Sequence, residues 1–133
     1  MTERNAAAVE FRVAALLENL AVLRTVVGAV GVFSDLDLDA VADLRLAVDE
    51  ACTGLIRSAT PGATLVVVVE PRVDVLVVQA STTCAVDDVL TEDSLSWHLL
   101  SALTDDVRTF RNGNSTDRVF GITLTTRRAG SSR

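Results

Sequence analysis

The chain contains no lysine and no tyrosine, one histidine, one tryptophan, two prolines and two cysteines. So few aromatic rings leave little for chemistry that depends on stacking. The cysteines, Cys52 and Cys84, lie far apart with no metal-type spacing, so neither a zinc knot nor a disulfide framework is indicated. They read as free thiols of a reducing compartment. The lone histidine, His98, has no second His, Cys or carboxylate at ligand spacing, which leaves a metal centre without its ligands. A G-x-S-x-G nucleophile elbow and a Walker-type phosphate loop are both missing. Long apolar runs are also absent. Even the run Leu65 to Val69, which no other exceeds, is far too short to span a bilayer, and no basic segment precedes an apolar stretch near the N-terminus. A cytoplasmic location follows as the expectation.

What remains is an acidic, aliphatic chain. Its 133 residues carry a formal net charge of -6, and every one of the 12 basic residues is arginine. A nucleic-acid backbone needs a basic surface that releases counterions, so the charge points to a protein partner instead. Guanidinium groups keep their charge and grip carboxylates with paired hydrogen bonds. Apolar residues make up 49% of the chain, mostly Ala, Val and Leu, which suffices for one aliphatic core. We expect a single domain over 1–133, with an ordered core at about 9–128 and a flexible tail at 129–133.

The spacing of apolar residues divides that core into elements. Alternation in VEFRVAA predicts a half-buried strand over Val9 to Ala15. Leu16, Leu20, Leu23, Val27 and Val30 then recur at three and four residues, predicting a helix that Gly31 ends. Asp37 and Asp39 suit the N-terminus of a second helix with Val41, Leu44, Val48, Cys52, Leu55 and Ala59 on its buried face, stopped by Pro61 and Gly62. TLVVVVE and VDVLVVQAS predict a hairpin around Pro71, Arg72 and Asp74. STTCAVDDVLTEDSLS reads as one long, lid-like loop. Trp97, Leu100 and either Leu103 or Thr104 restart a helix ending near Asp106, and VRTFR and VFGITLTTRR flank NGNSTD as a final hairpin. The order β-α-α-β-β-α-β-β predicts an α+β two-layer sandwich, with three helices on one face of a mixed or antiparallel sheet.

Four candidate sites emerge from this layout. Glu50, Gly54 and Ser58 stand at four-residue intervals on one side of the second helix, which makes either a solvated polar face or the lining of a pocket. Arg24 interrupts the apolar first helix and faces either solvent or a partner. Cys84, in the long loop, would sense oxidants if its surroundings lowered its pKa. His98 reads as an ordinary helix-surface or interface histidine.

DLRLAVDEACTGLIRSA, Asp43 to Ala59, resembles the N-box helix of the anti-sigma factor serine kinases of Gram-positive bacteria, whose usual form is close to E-A-x-x-N-x-x-x-H. SLSWHLLSALTDDV and VFGITLTTRR are similar to later segments of the same family, so the resemblance covers about Val9 to Arg128. Within the family, VADLRLAVDEAC, SWHLL and VFGITLT are most similar to the mycobacterial anti-sigma-F factors. The resemblance implies a histidine-kinase-type ATPase fold, a sigma-factor partner, an anti-anti-sigma antagonist and a homodimer formed through the first strand. It further implies that Arg24 contacts the partners and that Glu50 keeps the place of the catalytic base.

The departures are equally specific. Gly54 stands where the family has its magnesium-binding Asn, Ser58 where it often has His, and Ser94 and Ser96 where the nucleotide lid has glycines. The adenine-reading D-x-G-x-G has become ASTTC, Ala80 to Cys84, to within about a residue. Weak or absent binding of ATP and magnesium is therefore expected, with no metal site and Glu50 vestigial. The leading expectation is a protein that sequesters its sigma factor. The alternatives are an active ATP-dependent serine kinase acting on the antagonist, or a small-molecule enzyme using Glu50.

Overall fold

The computed structural model describes residues 7–86, 88–113 and 118–129. Five strands, β1 (Val9–Ala14), β2 (Thr64–Pro71), β3 (Val75–Thr83), β4 (Asp106–Asn112) and β5 (Val119–Arg127), form one sheet in the order β1-β2-β3-β5-β4. Every pairing is antiparallel, which resolves the expected mixed or antiparallel sheet. Three α-helices accompany it among the described residues: α1 (Leu20–Phe33), α2 (Leu38–Ser58) and α3 (Leu95–Leu103). The α+β class is thus as expected, with β1 and β4 at the sheet edges.

The core lies between α2 and one side of the sheet. Period-two alternation sends Leu65, Val67 and Val69 of β2, Leu76, Val78 and Ala80 of β3, and Phe120, Ile122 and Leu124 of β5 to the same buried cluster. From the helices, Leu23 and Val27 join Leu44, Val48, Cys52 and Leu55, all at most 1% exposed. Burial of each such aliphatic side chain is worth about 1.5–3 kcal/mol relative to exposure. Phe110 of β4 lies across Gly121 of the neighbouring strand so closely that a Cβ there would meet the ring at 2.1 Å. The pair locks the β4–β5 register without a side chain at position 121.

Several boundaries differ from the sequence pattern. β1 stops at Ala14, and Leu16 lies outside α1 and half exposed, because a short 3-10 turn over Leu17–Asn19 separates strand from helix. Gly31 does not end α1, which continues to Phe33. Instead Gly31 is buried against Leu36 and Val41, where a larger residue would crowd the crossing of the two helices. The turn that follows is made by Asp35, at φ 64°, the left-handed region in which Asp is one of the better tolerated residues. Asp37 caps α2 by accepting from the backbone N–H of Ala40 at 2.8 Å, while Asp39 lies in the first turn. Ala59 is the C-cap of α2 and not part of its buried face, which additionally includes Ala47, Ala51 and Ile56.

The expected long loop is shorter at both ends. Ser81, Thr82 and Thr83 continue β3, Cys84 bridges to Ala59, and α3 starts at Leu95 and ends at Leu103, with Asp106 already in β4. At the opposite end of the sheet, Arg128 fastens three segments together. Its Nε donates to the Ser34 carbonyl at 2.8 Å, Nη1 to the Arg72 carbonyl at 2.5 Å, and Nη2 pairs with Asp35 at 3.3 Å. The expected flexible tail lies outside the described residues beyond Ala129, as do Asn114 to Asp117 of the NGNSTD connector.

Candidate functional site

Helix α2 presents two non-core sides, and the candidate residues divide between them. On one side, Glu50, Gly54 and Ser58 are intermediate in exposure. They come together as the spacing implied, but the β3–α3 segment lies against them. The Ser96 hydroxyl donates to Glu50 Oε2 at 2.6 Å, a short charge-assisted hydrogen bond. Val89 sits over Gly54, its Cγ1 3.6 Å from where a Cβ would be. The backbone N–H of Ala85 donates to the Ser58 carbonyl at 3.1 Å, and Leu90 is 7% exposed within the core. Sequence reasoning missed Val89 and Leu90, although an adjacent apolar pair inside a polar loop was a usable signal.

Ser94 does a different job from its neighbour Ser96. Its hydroxyl accepts from the backbone N–H of Trp97 at 3.1 Å and so caps α3, directly after Asp93 with its positive φ of 68°. Position 94 therefore fixes where the helix begins, and position 96 ties that helix to α2. His98 is exposed on α3. Among the described residues, no group of three His, Cys, Asp or Glu side chains could hold a metal ion.

On the other side of α2, α1 packs alongside and leaves a groove open to solvent. Arg24, Ala42, Arg45, Leu46 and Asp49 line a cavity of about 330 Å³. Arg24 Nε lies 3.3 Å from Asp49 Oδ1, an oxygen that has no aligned hydrogen-bond partner among the described residues. The contact is an ion pair with imperfect geometry that occupies only one edge of the guanidinium. The Arg24 side chain remains 44% exposed. Arg45 lays its stem over Gly28, where a Cβ would come within 3.0 Å of Cδ. The missing side chain at Gly28 thus leaves room for the Arg45 stem, and Leu46 in the groove is 59% exposed. Asp49 and Arg45 were absent from the sequence-based site because their roles exist only once α1 and α2 are adjacent.

The cysteines lie apart from both sides. Cys52 is buried completely, and burial first and the charge of Asp49 second push its thiol up to about 12. Cys84 is 3% exposed, its Sγ donating to the Thr82 carbonyl at 3.6 Å, and burial raises its pKa against a smaller lowering effect from the Phe120 backbone. An oxidant sensor needs the opposite: an accessible thiol with a depressed pKa. The condition for sensing by Cys84 is not met, and it is a free, buried thiol.

A nucleotide with magnesium, as the resemblance implies, does not fit the side of α2 that carries Glu50. Gly54 offers no ligand atom, Val89 covers it, and the Glu50 carboxylate already accepts from Ser96. Fold and site together define a class: an α+β protein with one helix side closed by its own chain and the other offering arginines to solvent. No protein-family model matches the chain. It is 63% identical to the anti-sigma-F factor RsbW of Mycobacterium tuberculosis, in strains CDC 1551 / Oshkosh and H37Rv alike, over 134 aligned positions that cover 98% of this chain and 80% of the relative. The chain belongs to the anti-sigma-F factor RsbW family. No helix among the described residues is long and apolar enough to cross a membrane.

Proposed function

We propose that this protein is a cytoplasmic anti-sigma factor that binds and sequesters a sigma factor of the F type, repressing the transcription that sigma factor directs. The observation that carries the reading is the 63% identity over nearly the whole chain to proteins named anti-sigma-F factor. Arg24 supports it physically: half exposed and held at one edge by Asp49, its guanidinium keeps terminal nitrogens for a carboxylate of the partner. Release is by an anti-anti-sigma antagonist that competes for the same protein. The whole chain acts as one domain of histidine-kinase-type ATPase fold. Two copies associate through β1, which lies at an edge of the sheet beside β2.

Glu50 is a vestige of a catalytic base in this reading. With Gly54, Ser58, Ser94 and Ser96 in place of the family's nucleotide-handling residues, ATP and magnesium bind weakly or not at all. Phosphate transfer needs a positioned phosphate before a base is of use. The test is calorimetric titration of the purified chain with its sigma factor, alongside transcription by polymerase carrying that sigma factor. Submicromolar binding with repression is the expected result. Absence of binding would end the anti-sigma reading, and transfer of phosphate to the antagonist that disappears in Glu50→Ala would restore the kinase.

A further inference from the structure

Two side chains and one backbone group from the chain between β3 and the first turn of α3 meet the same stretch of α2. From Glu50 through Gly54 to Ser58 is eight residue steps, about 12 Å along the helix axis. Against them lie Ser96 at 2.6 Å from Glu50, Val89 over Gly54, and the Ala85 N–H on the Ser58 carbonyl. Leu90, next to Val89, is anchored in the core.

We infer that the β3–α3 segment is a built-in clasp, which fills the side of α2 where a ligand would otherwise sit and sets the position of α3 in its place. The inference deepens the proposed loss of nucleotide binding and rests on it, while the identity of the sigma partner plays no part. Gly54 is central because it is the absence of a side chain there that leaves space for Val89. A methyl group would touch Val89 at an ordinary distance of 3.6 Å, but a longer side chain would drive it away. Ser96 supplies the second half. A partly buried carboxylate needs a donor or a cation, and the hydroxyl delivers one from the first turn of α3. Because Asp93 and the Ser94 cap fix where α3 starts, Ser96 reaches Glu50 from a helix already set in position. Once clasped, α3 shows Leu95, His98 and Leu99 to solvent as a fixed surface whether or not any ligand is present.

Hydrogen exchange of the full chain, read by mass spectrometry over residues 88–103 with and without millimolar magnesium-ATP, tests the clasp. In the unaltered protein the α3 amides should be protected without nucleotide and unchanged by it. Ser96→Ala should speed their exchange about tenfold, the loss of one hydrogen bond to a charged group. Gly54→Asn should do the same or more by expelling Val89, while Gly54→Ala should leave protection intact. Urea midpoints measured on each variant separate local opening from global destabilisation. Fast exchange in the unaltered protein that magnesium-ATP slows would overturn the clasp and the loss of nucleotide binding together. Unchanged exchange in both Ser96→Ala and Gly54→Asn, with no ATP bound by calorimetry, would overturn the clasp alone.

Discussion

The two sides of α2 treat charge in opposite ways. Toward α3, Glu50 has its carboxylate satisfied within the chain, and apolar side chains close over the rest. Toward α1, Arg24 and Arg45 stand over a solvent-filled groove, with one imperfect ion pair between Arg24 and Asp49. A polar group satisfied internally contributes to the stability of the fold, whereas one left partly unsatisfied at the surface keeps its interaction energy for a partner. On the function proposed above, the difference separates a structural side from a recognition side on a single helix.

The largest expected effect strikes the structural side. Leu90→Ala should cost about 2–5 kcal/mol in urea unfolding, because it empties a core position that also anchors the clasp. The comparison breaks if that variant is as stable as the parent. On the recognition side, Arg24→Ala should weaken sigma binding by about 2 kcal/mol or more if the guanidinium is buried at the interface centre. Stability should hardly change, since an exposed ion pair contributes about 0–1 kcal/mol. Calorimetric affinity beside the urea midpoint separates the two. Unchanged affinity with the fold intact by circular dichroism would remove Arg24 from the binding surface.

Smaller effects sharpen the contrast. Asp37→Ala, which removes the cap shared by both sides, should cost about 1 kcal/mol in stability. Near neutral pH, Cys52 should have no effect at all through ionisation, because its pKa is raised from 9.0 to about 12 by burial and by Asp49. The folded state favours the neutral thiol, so its contribution is fully present below about pH 9 and is lost as pH rises toward about 12. A urea series from pH 7 to pH 10.5 should show a downturn above pH 9 that is weaker in Cys52→Ala. Alkylation of native protein at pH 8 should leave Cys52 unmodified.

Much of the fold was legible because local pattern and tertiary demand agree. The valines of β2 and β3 alternate or run together as buried strands require, and α2 carries an apolar stripe behind an Asp cap. Legibility failed where a residue's role depends on something distant. Gly31 resembles a helix terminator and is instead a contact point for Leu36 and Val41. Leu95 begins α3 while 87% exposed, so hydrophobic periodicity carries no signal there, and the cap at Ser94 looks like any loop serine. At the site, Glu50, Gly54 and Ser58 were found by spacing alone. The apolar pair Val89 and Leu90 marks a buried point in the loop, but which surface it and Ser96 close over was hidden, because a loop's return to a helix some 40 residues earlier leaves no periodic trace. Arg24 was visible as an interruption, but Asp49 beside it was not.

The position of β5 bears on how the protein is made. Although it is the fifth strand in the chain, it lies between β3 and β4 and pairs with both along its length. While residues 119–127 are still within the ribosome, β3 has one bare edge, β4 has no neighbour, and the pocket for Phe120, Ile122 and Leu124 is vacant. Helix α2 then has only part of the sheet to rest on. Emergence of the final strand therefore sets the earliest moment at which the arginine groove is held in shape, and a nascent chain stalled before Val119 should be incompetent for capture of a partner however long it waits.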